Sequence, residues 1–219
     1  MDTRTNYHQS LKDMQNLLMH MGATVERQIF RAVDSLKNLD AALAQSIIDE
    51  DDALDQMMLD VEDRCLRLVA LQQPMAGDLR IITMAGKLAV DLERIADHAV
   101  DIAKITRRLA GEELLKPIVD LPRMADLCIK MLQESLLAYT EGNVNRAAYM
   151  AELDDEVDRI YSTVLNEVMP MMSNDVARNR QLMQLMMAAH YLERVADHAT
   201  NIGEGVIFMV TGKRKDLNK

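Results

Sequence analysis

A chain of 219 residues with 18 Met, 8 Gly, 4 Pro and no Trp carries the material for a large helical core and little that favours sheets. Its formal charge of -10 opposes docking on a phosphodiester backbone, so charge argues against nucleic acid as a partner. Nothing resembling a signal peptide follows Met1-Asp2-Thr3-Arg4-Thr5-Asn6, and no uninterrupted apolar run approaches the roughly 20 residues of a membrane span. A cytoplasmic protein without a direct membrane span is expected.

Apolar residues recur three and four apart over long stretches, the period of helices rather than strands. The pattern predicts helices over 6–38, 41–72 and 77–110. They are separated by Asn38-Leu39-Asp40 and by the stretch from Gln72-Gln73-Pro74 to Gly77-Asp78, where Asp78 is suited to capping the third helix. A segment after Gly111 containing Pro117 and Pro122 joins this half to a second. There helices are predicted over 118–141, 144–172 and 175–211, with breaks at Glu141-Gly142-Asn143 and from Pro170 to Asn174. Short connections make successive helices antiparallel, so the fold class is all-α: two tandem, similar three-helix bundles, residues 1–112 and 113–219. Cys65 and Cys128 lie in apolar helical patterns without metal-ligand spacing and read as core thiols. Most of the methionines fall on helix seams and are expected in the core.

The two halves repeat. Leu92-Glu93-Arg94-Ile95-Ala96-Asp97-His98-Ala99 returns 100 residues later as Leu192-Glu193-Arg194-Val195-Ala196-Asp197-His198-Ala199, and Asp51-Asp52-Ala53-Leu54-Asp55 is echoed 103 residues later by Asp154-Asp155-Glu156-Val157-Asp158. On the third helix, Leu88, Leu92, Ile95, Ala99 and Ile102 form the apolar seam, while Glu93, Asp97 and Asp101 stack in a row away from it. The matching row of the last helix holds His190, Glu193, Asp197, Asn201 and Glu204, with Val90 and Lys104 standing where His190 and Glu204 stand. Rows of acids four apart repel unless something neutralises them.

The second helix places Asp51, Asp55 and Glu62 on one flank of its seam of Leu54, Met57, Met58, Val61 and Cys65. Asp55 lies 20 residues before the turn at residue 75 and Asp97 22 after it, so antiparallel helices bring the two to one level. Asp154 and Asp158 stand likewise against Glu193 and Asp197. Facing carboxylates suit one or several divalent or trivalent cations; His190 tilts the second group toward iron or zinc, with magnesium or manganese as oxygen-loving alternatives. His98 and His198 point to another flank, beside Arg94 and Arg194, and read as surface or interface histidines. Arg80, in the first turn of the third helix, carries a charge suited to a partner carboxylate or to the acidic face of the second helix.

Across nearly its whole length the chain resembles the PhoU family. The resemblance rests on Asp51-x-x-x-Asp55, Glu93-x-x-x-Asp97, Gln73-Pro74-x-x-x-Asp78-Leu79-Arg80 and the run from Leu192 to Ile202. It implies paired three-helix bundles carrying multinuclear iron or zinc clusters, and a homodimer. It also implies a negative regulator of phosphate uptake, acting between the ATPase subunit of the phosphate ABC transporter and a phosphate-sensing histidine kinase, recruited by these partners to the inner face of the membrane. It implies no catalytic reaction. The competing readings are a helical adaptor for another transporter and a ferritin-like metal-carboxylate enzyme. The latter needs Glu-x-x-His pairs, and no Glu precedes any of the five histidines by three positions.

Overall fold

The computed structural model describes the backbone of residues 3–116 and 118–217, with side chains from Tyr7 onward. Among the described residues every regular element is helical: α1 (Thr3–Asn38), α2 (Ala41–Asp49), α3 (Asp51–Gln72), α4 (Ala76–Leu109), α5 (Asp120–Glu141), α6 (Val144–Ala148), α7 (Met150–Val168) and α8 (Val176–Thr211), with a 3-10 turn at Met169–Met171. The expected helix starting at 41 is capped by Asp40, whose carboxylate accepts from the N–H groups of Ala42 and Leu43. Its repeat counterpart, starting at 144, is capped in the same way by Asn143.

Several details depart from the periodicity. The helix expected over 41–72 is interrupted at Glu50, where the chain tightens to a three-residue step (Ala53 N–H to Glu50 C=O, 3.3 Å). Arg31 of α1 grips both Glu50 oxygens there, at 2.5 and 3.0 Å, and holds Ser46 at 2.8 Å. In the second half the interruption comes at Tyr149, and α7 yields to the 3-10 turn before Pro170, which lacks an amide donor. Asp78 does not cap α4: Met75 is the N-cap and Asp78 sits in the first turn. Pro122 likewise lies inside the first turn of α5 rather than in the connection, a place where its missing N–H costs nothing; Pro117 falls outside the described residues.

The predicted seams are the core. Leu88, Leu92, Ile95, Ala99 and Ile102 are fully buried, as are Leu192, Val195, Ala199 and Ile202. Leu54 and Val61 of α3 are buried, with Met57, Met58 and Cys65 packed partly against them. Seven methionines, Met14, Met21, Met84, Met124, Met131, Met150 and Met209, are buried, fewer than half of the 18 and not the majority expected; Met75, Met169 and Met172 are exposed near helix ends, and Met183 and Met187 are exposed within α8. Both cysteines are free thiols turned inward, Cys65 toward the Ile82 carbonyl and Cys128 toward that of Leu192; burial pushes the Cys65 pKa up to about 11.

The two halves share one apolar cluster. α4 of the first lies against α8 of the second, and α1 against α5. α4 and α8 run antiparallel, since Arg80 donates to the carbonyl of Met209 at one end and Arg108 to the Gln184 side chain at the other. The repeats are therefore related by an approximate two-fold across this seam. Both long helices stop at a left-handed glycine, Gly111 (φ 83°) after α4 and Gly212 (φ 71°) after α8.

Candidate functional site

Each repeat sets one helix bearing two acids against another. In the first, burial raises the Asp51 pKa, and the charges of Asp97 and Asp55 raise it further. Glu93 is raised by burial and then by Asp97, with Asp55 and Asp51 adding to it. In the second repeat, burial, Asp158 and Asp197 push Asp154 up to about 6, although Thr200 donates a 3.3 Å hydrogen bond to it. Asp158 and Glu193 are raised by burial and by Asp197. Thus α3 and α4 bring together Asp51, Asp55, Glu93 and Asp97, and α7 and α8 bring together Asp154, Asp158, Glu193 and Asp197, at the level that counting from the turns predicts.

The rows are neither as outward nor as uncompensated as a single-helix projection suggests. Glu93 is only 13% exposed because α3 covers it, and Glu193 is 24% exposed beneath α7. Arg94 donates to Asp97 at 2.9 Å and approaches Glu93 Oε2 at 3.4 Å; Arg194 donates to Asp197 at 2.8 Å. Each row therefore carries its own guanidinium. One oxygen in each cluster, Oε2 of Glu93 and of Glu193, is nonetheless buried without a well-directed hydrogen bond.

The remaining predicted ligands lie at the edges. Asp101 pairs with Lys104 at 3.0 Å, and Asn201 stands half-buried one turn beyond Asp197. His190 Nδ1 reaches Glu193 Oε2 at 3.3 Å, with the Tyr161 and Tyr191 rings about it. Glu62 lies roughly 10 Å along α3 from Asp55, toward the Cys65 thiol. Glu204 lies as far along α8 from Asp197 and accepts the Leu217 amide at 2.8 Å. Among the described residues no three His, Cys, Asp or Glu side chains converge on a single ion position. The donor chemistry suits a hard or borderline cation, and Oε2 of Glu93 and of Glu193, which have only long contacts to Arg94 and His190, are acceptors for one. Closing a coordination sphere requires the acids to turn from their arginines.

A group that the sequence reading passed over sits between the repeats. Asp91, buried at 6% exposure, accepts or shares a proton with His198 Nδ1 at 3.0 Å. His198 lies 5.8 Å from His98, which stacks on Tyr191 at 5.6 Å. Burial lowers the His98 pKa to about 4, with His198 adding to the effect, so the imidazole is neutral near pH 7. Asp91 stands where the other repeat has Tyr191, and that asymmetry was the available signal. Arg80 faces α8 rather than the acids of the second helix, its Nε bonded to Met209 O at 2.9 Å.

A family model for the PhoU domain matches the chain twice, at residues 18–106 and 121–206. The chain belongs to the PhoU family. It is 39% identical over 217 residues to the phosphate-specific transport system accessory protein PhoU homolog of Clostridium acetobutylicum, covering 99% of both chains. To the homolog of Pseudomonas aeruginosa it is 36% identical, over 94% of this chain and 86% of that protein. The crystal structure of PhoU from Pseudomonas aeruginosa superposes with a TM-score of 0.89 at 35% identity, covering 94% of this chain and all of that one. That of the phosphate transport system regulatory protein PhoU from Streptococcus pneumoniae gives 0.88 at 28% identity, covering 96% and 99%. The all-helical duplicated fold is thus the family's own, and no described helix is long and apolar enough to cross a membrane.

Proposed function

We propose that this chain is an accessory regulator of a phosphate-specific transport system, acting in the cytoplasm as a contact protein rather than an enzyme. The match to an accessory protein of that system carries the reading, because it runs over 99% of both chains. In this reading the protein couples the transporter's ATPase subunit to a phosphate-sensing histidine kinase and lowers kinase output when phosphate is plentiful. Its partners recruit it to the membrane, and it acts as a homodimer.

The two acid clusters are the proposed metal centres, one in each of the proposed bundles 1–112 and 113–219. Asp51, Asp55, Glu93 and Asp97, with Asp101 at the edge, would hold the first; Asp154, Asp158, Glu193 and Asp197, with His190 and Asn201, the second. Glu62 and Glu204 belong outside them. A bound iron or zinc ion would neutralise carboxylates that now raise one another's proton affinity. Arg94 and Arg194, paired with Asp97 and Asp197, would have to release them to the ion.

Deleting the gene in a host with no second family member is expected to raise a phosphate-starvation reporter in high phosphate. A reporter that stays low, with neither kinase nor ATPase recovered by the tagged protein, assigns the chain to another transporter. For the metal, Asp97→Asn with Asp197→Asn should abolish most of the bound iron or zinc found by elemental analysis; unchanged stoichiometry sinks that part alone.

A further inference from the structure

A cavity of about 580 Å³ lies away from both acid clusters, between the N-terminal part of α4, the C-terminal part of α8 and the tail after Gly212. Four cations line it, Arg80 and Lys87 from α4 and Arg214 and Lys215 from the tail, against one carboxylate, Glu204, which the Leu217 amide already occupies. In a chain of charge -10, none of these four forms an ion pair among the described residues. Arg80 is anchored through Nε to Met209 O, and Arg214 rides over the Phe208 ring at 5.9 Å.

The approximate two-fold sharpens this. The place equivalent to the cavity lies between α8 and the connection after Gly111, where the repeat counterpart of Arg80 is Arg180. There the connection supplies Glu112, which takes Arg180 and Gln181, and the Gln181 side chain in turn accepts the Leu115 amide at 2.7 Å, so the chain closes down. In the tail, Lys213-Arg214-Lys215 follows Gly212 where Glu112-Glu113 follows Gly111. The tail adds cations to Arg80 instead of neutralising it, and the cleft stays open.

Like charges gathered around a cavity favour an anionic occupant. Guanidinium and ammonium groups together suit phosphate oxygens. The floor is apolar, formed by Leu79, Met84 and Phe208, and the volume is that of pockets for organic ligands rather than for a bare oxyanion. We propose that this cleft binds a small organic phosphate of nucleotide size, its phosphate held by the four cations and its body lying on the apolar floor. The proposal goes beyond the regulatory reading and stands without it.

Adenosine monophosphate is the probe, titrated into the ¹⁵N-labelled full chain at low salt, with adenosine and inorganic phosphate as comparators. Amide shifts are expected at Thr83, Gly205 and Phe208, saturating with the nucleotide, and each comparator should bind at least roughly tenfold more weakly. Lys87→Gln with Arg214→Gln, two exposed positions that leave the Arg80 anchor intact, should weaken the nucleotide by roughly tenfold or more. Absent shifts, equal affinity for adenosine, or undiminished binding by the double variant would overturn it. So would an acidic peptide that displaces the nucleotide and binds more tightly, which would assign the cleft to a partner's carboxylates.

Discussion

The two acid clusters are copies of one design under different pressure. In the first, Lys104 lies near enough to lower the Asp51 pKa, and Asp101 pairs with it. In the second, Glu204 replaces that lysine and turns to the tail, so Asp154 has Thr200 as its hydrogen-bond donor and is pushed to about 6. Duplication kept the four facing carboxylates and the arginine beside each row, but not the lysine. A cation should therefore relieve more repulsion in the second repeat, where His190 also offers nitrogen.

Where the repeats are alike, their variants should match. Leu92→Ala and Leu192→Ala each empty a fully buried site on the seam, and each should cost about 3 kcal/mol in urea unfolding. A difference well beyond that scale's scatter would show that the halves are not packed equivalently. His198→Ala should cost roughly 2 kcal/mol, because it leaves the buried Asp91 carboxylate without its partner, while His98→Ala, whose Nδ1 has no hydrogen bond, should cost less. Equal losses would erase the asymmetry assigned to Asp91 and Tyr191.

The acids themselves should give a smaller effect of opposite sign. Asp154 binds its proton more tightly when folded than when unfolded, so between pH 3.8 and about 6 its contribution to stability falls as pH rises, and above that window the full penalty remains. In chelator-treated protein at pH 7.5, Asp154→Asn should raise stability by about 1 kcal/mol, less than the full shift implies because the side chain is half-buried and screened. The gain should vanish near pH 4. Asp51→Asn should give a smaller gain, since Lys104 already offsets part of the repulsion. An Asp51 effect as large as that of Asp154 would remove the distinction between the clusters.

Smallest of all, Arg31→Ala should cost about 0.5 kcal/mol, from loss of a partly exposed ion pair with Glu50, whose place at the break by Tyr149 is taken by Lys130 against the tyrosine hydroxyl and ring. Circular dichroism should show helix content nearly unchanged. A large loss would mean that the grip on Glu50 holds the α2–α3 junction together.

Much of this protein is written in local periodicity. The recurrence of Leu88, Leu92, Ile95, Ala99 and Ile102 on one stripe determined the buried face of α4, and the same stripe recurs in α8. Counting residues from a short turn sufficed to set Asp51 and Asp55 at the level of Glu93 and Asp97, because antiparallel helices rise equally per residue. Only tertiary packing decided the rest. A helical projection shows which way a carboxylate points but not that α3 covers Glu93, nor that Arg94 folds back onto Asp97. The pairing of Asp91 with His198 and the meeting of Arg80 with the basic tail join residues more than a hundred positions apart. They follow from how α4 crosses α8, and that crossing is settled by side chains packing between two helices, which neither helix's sequence records alone.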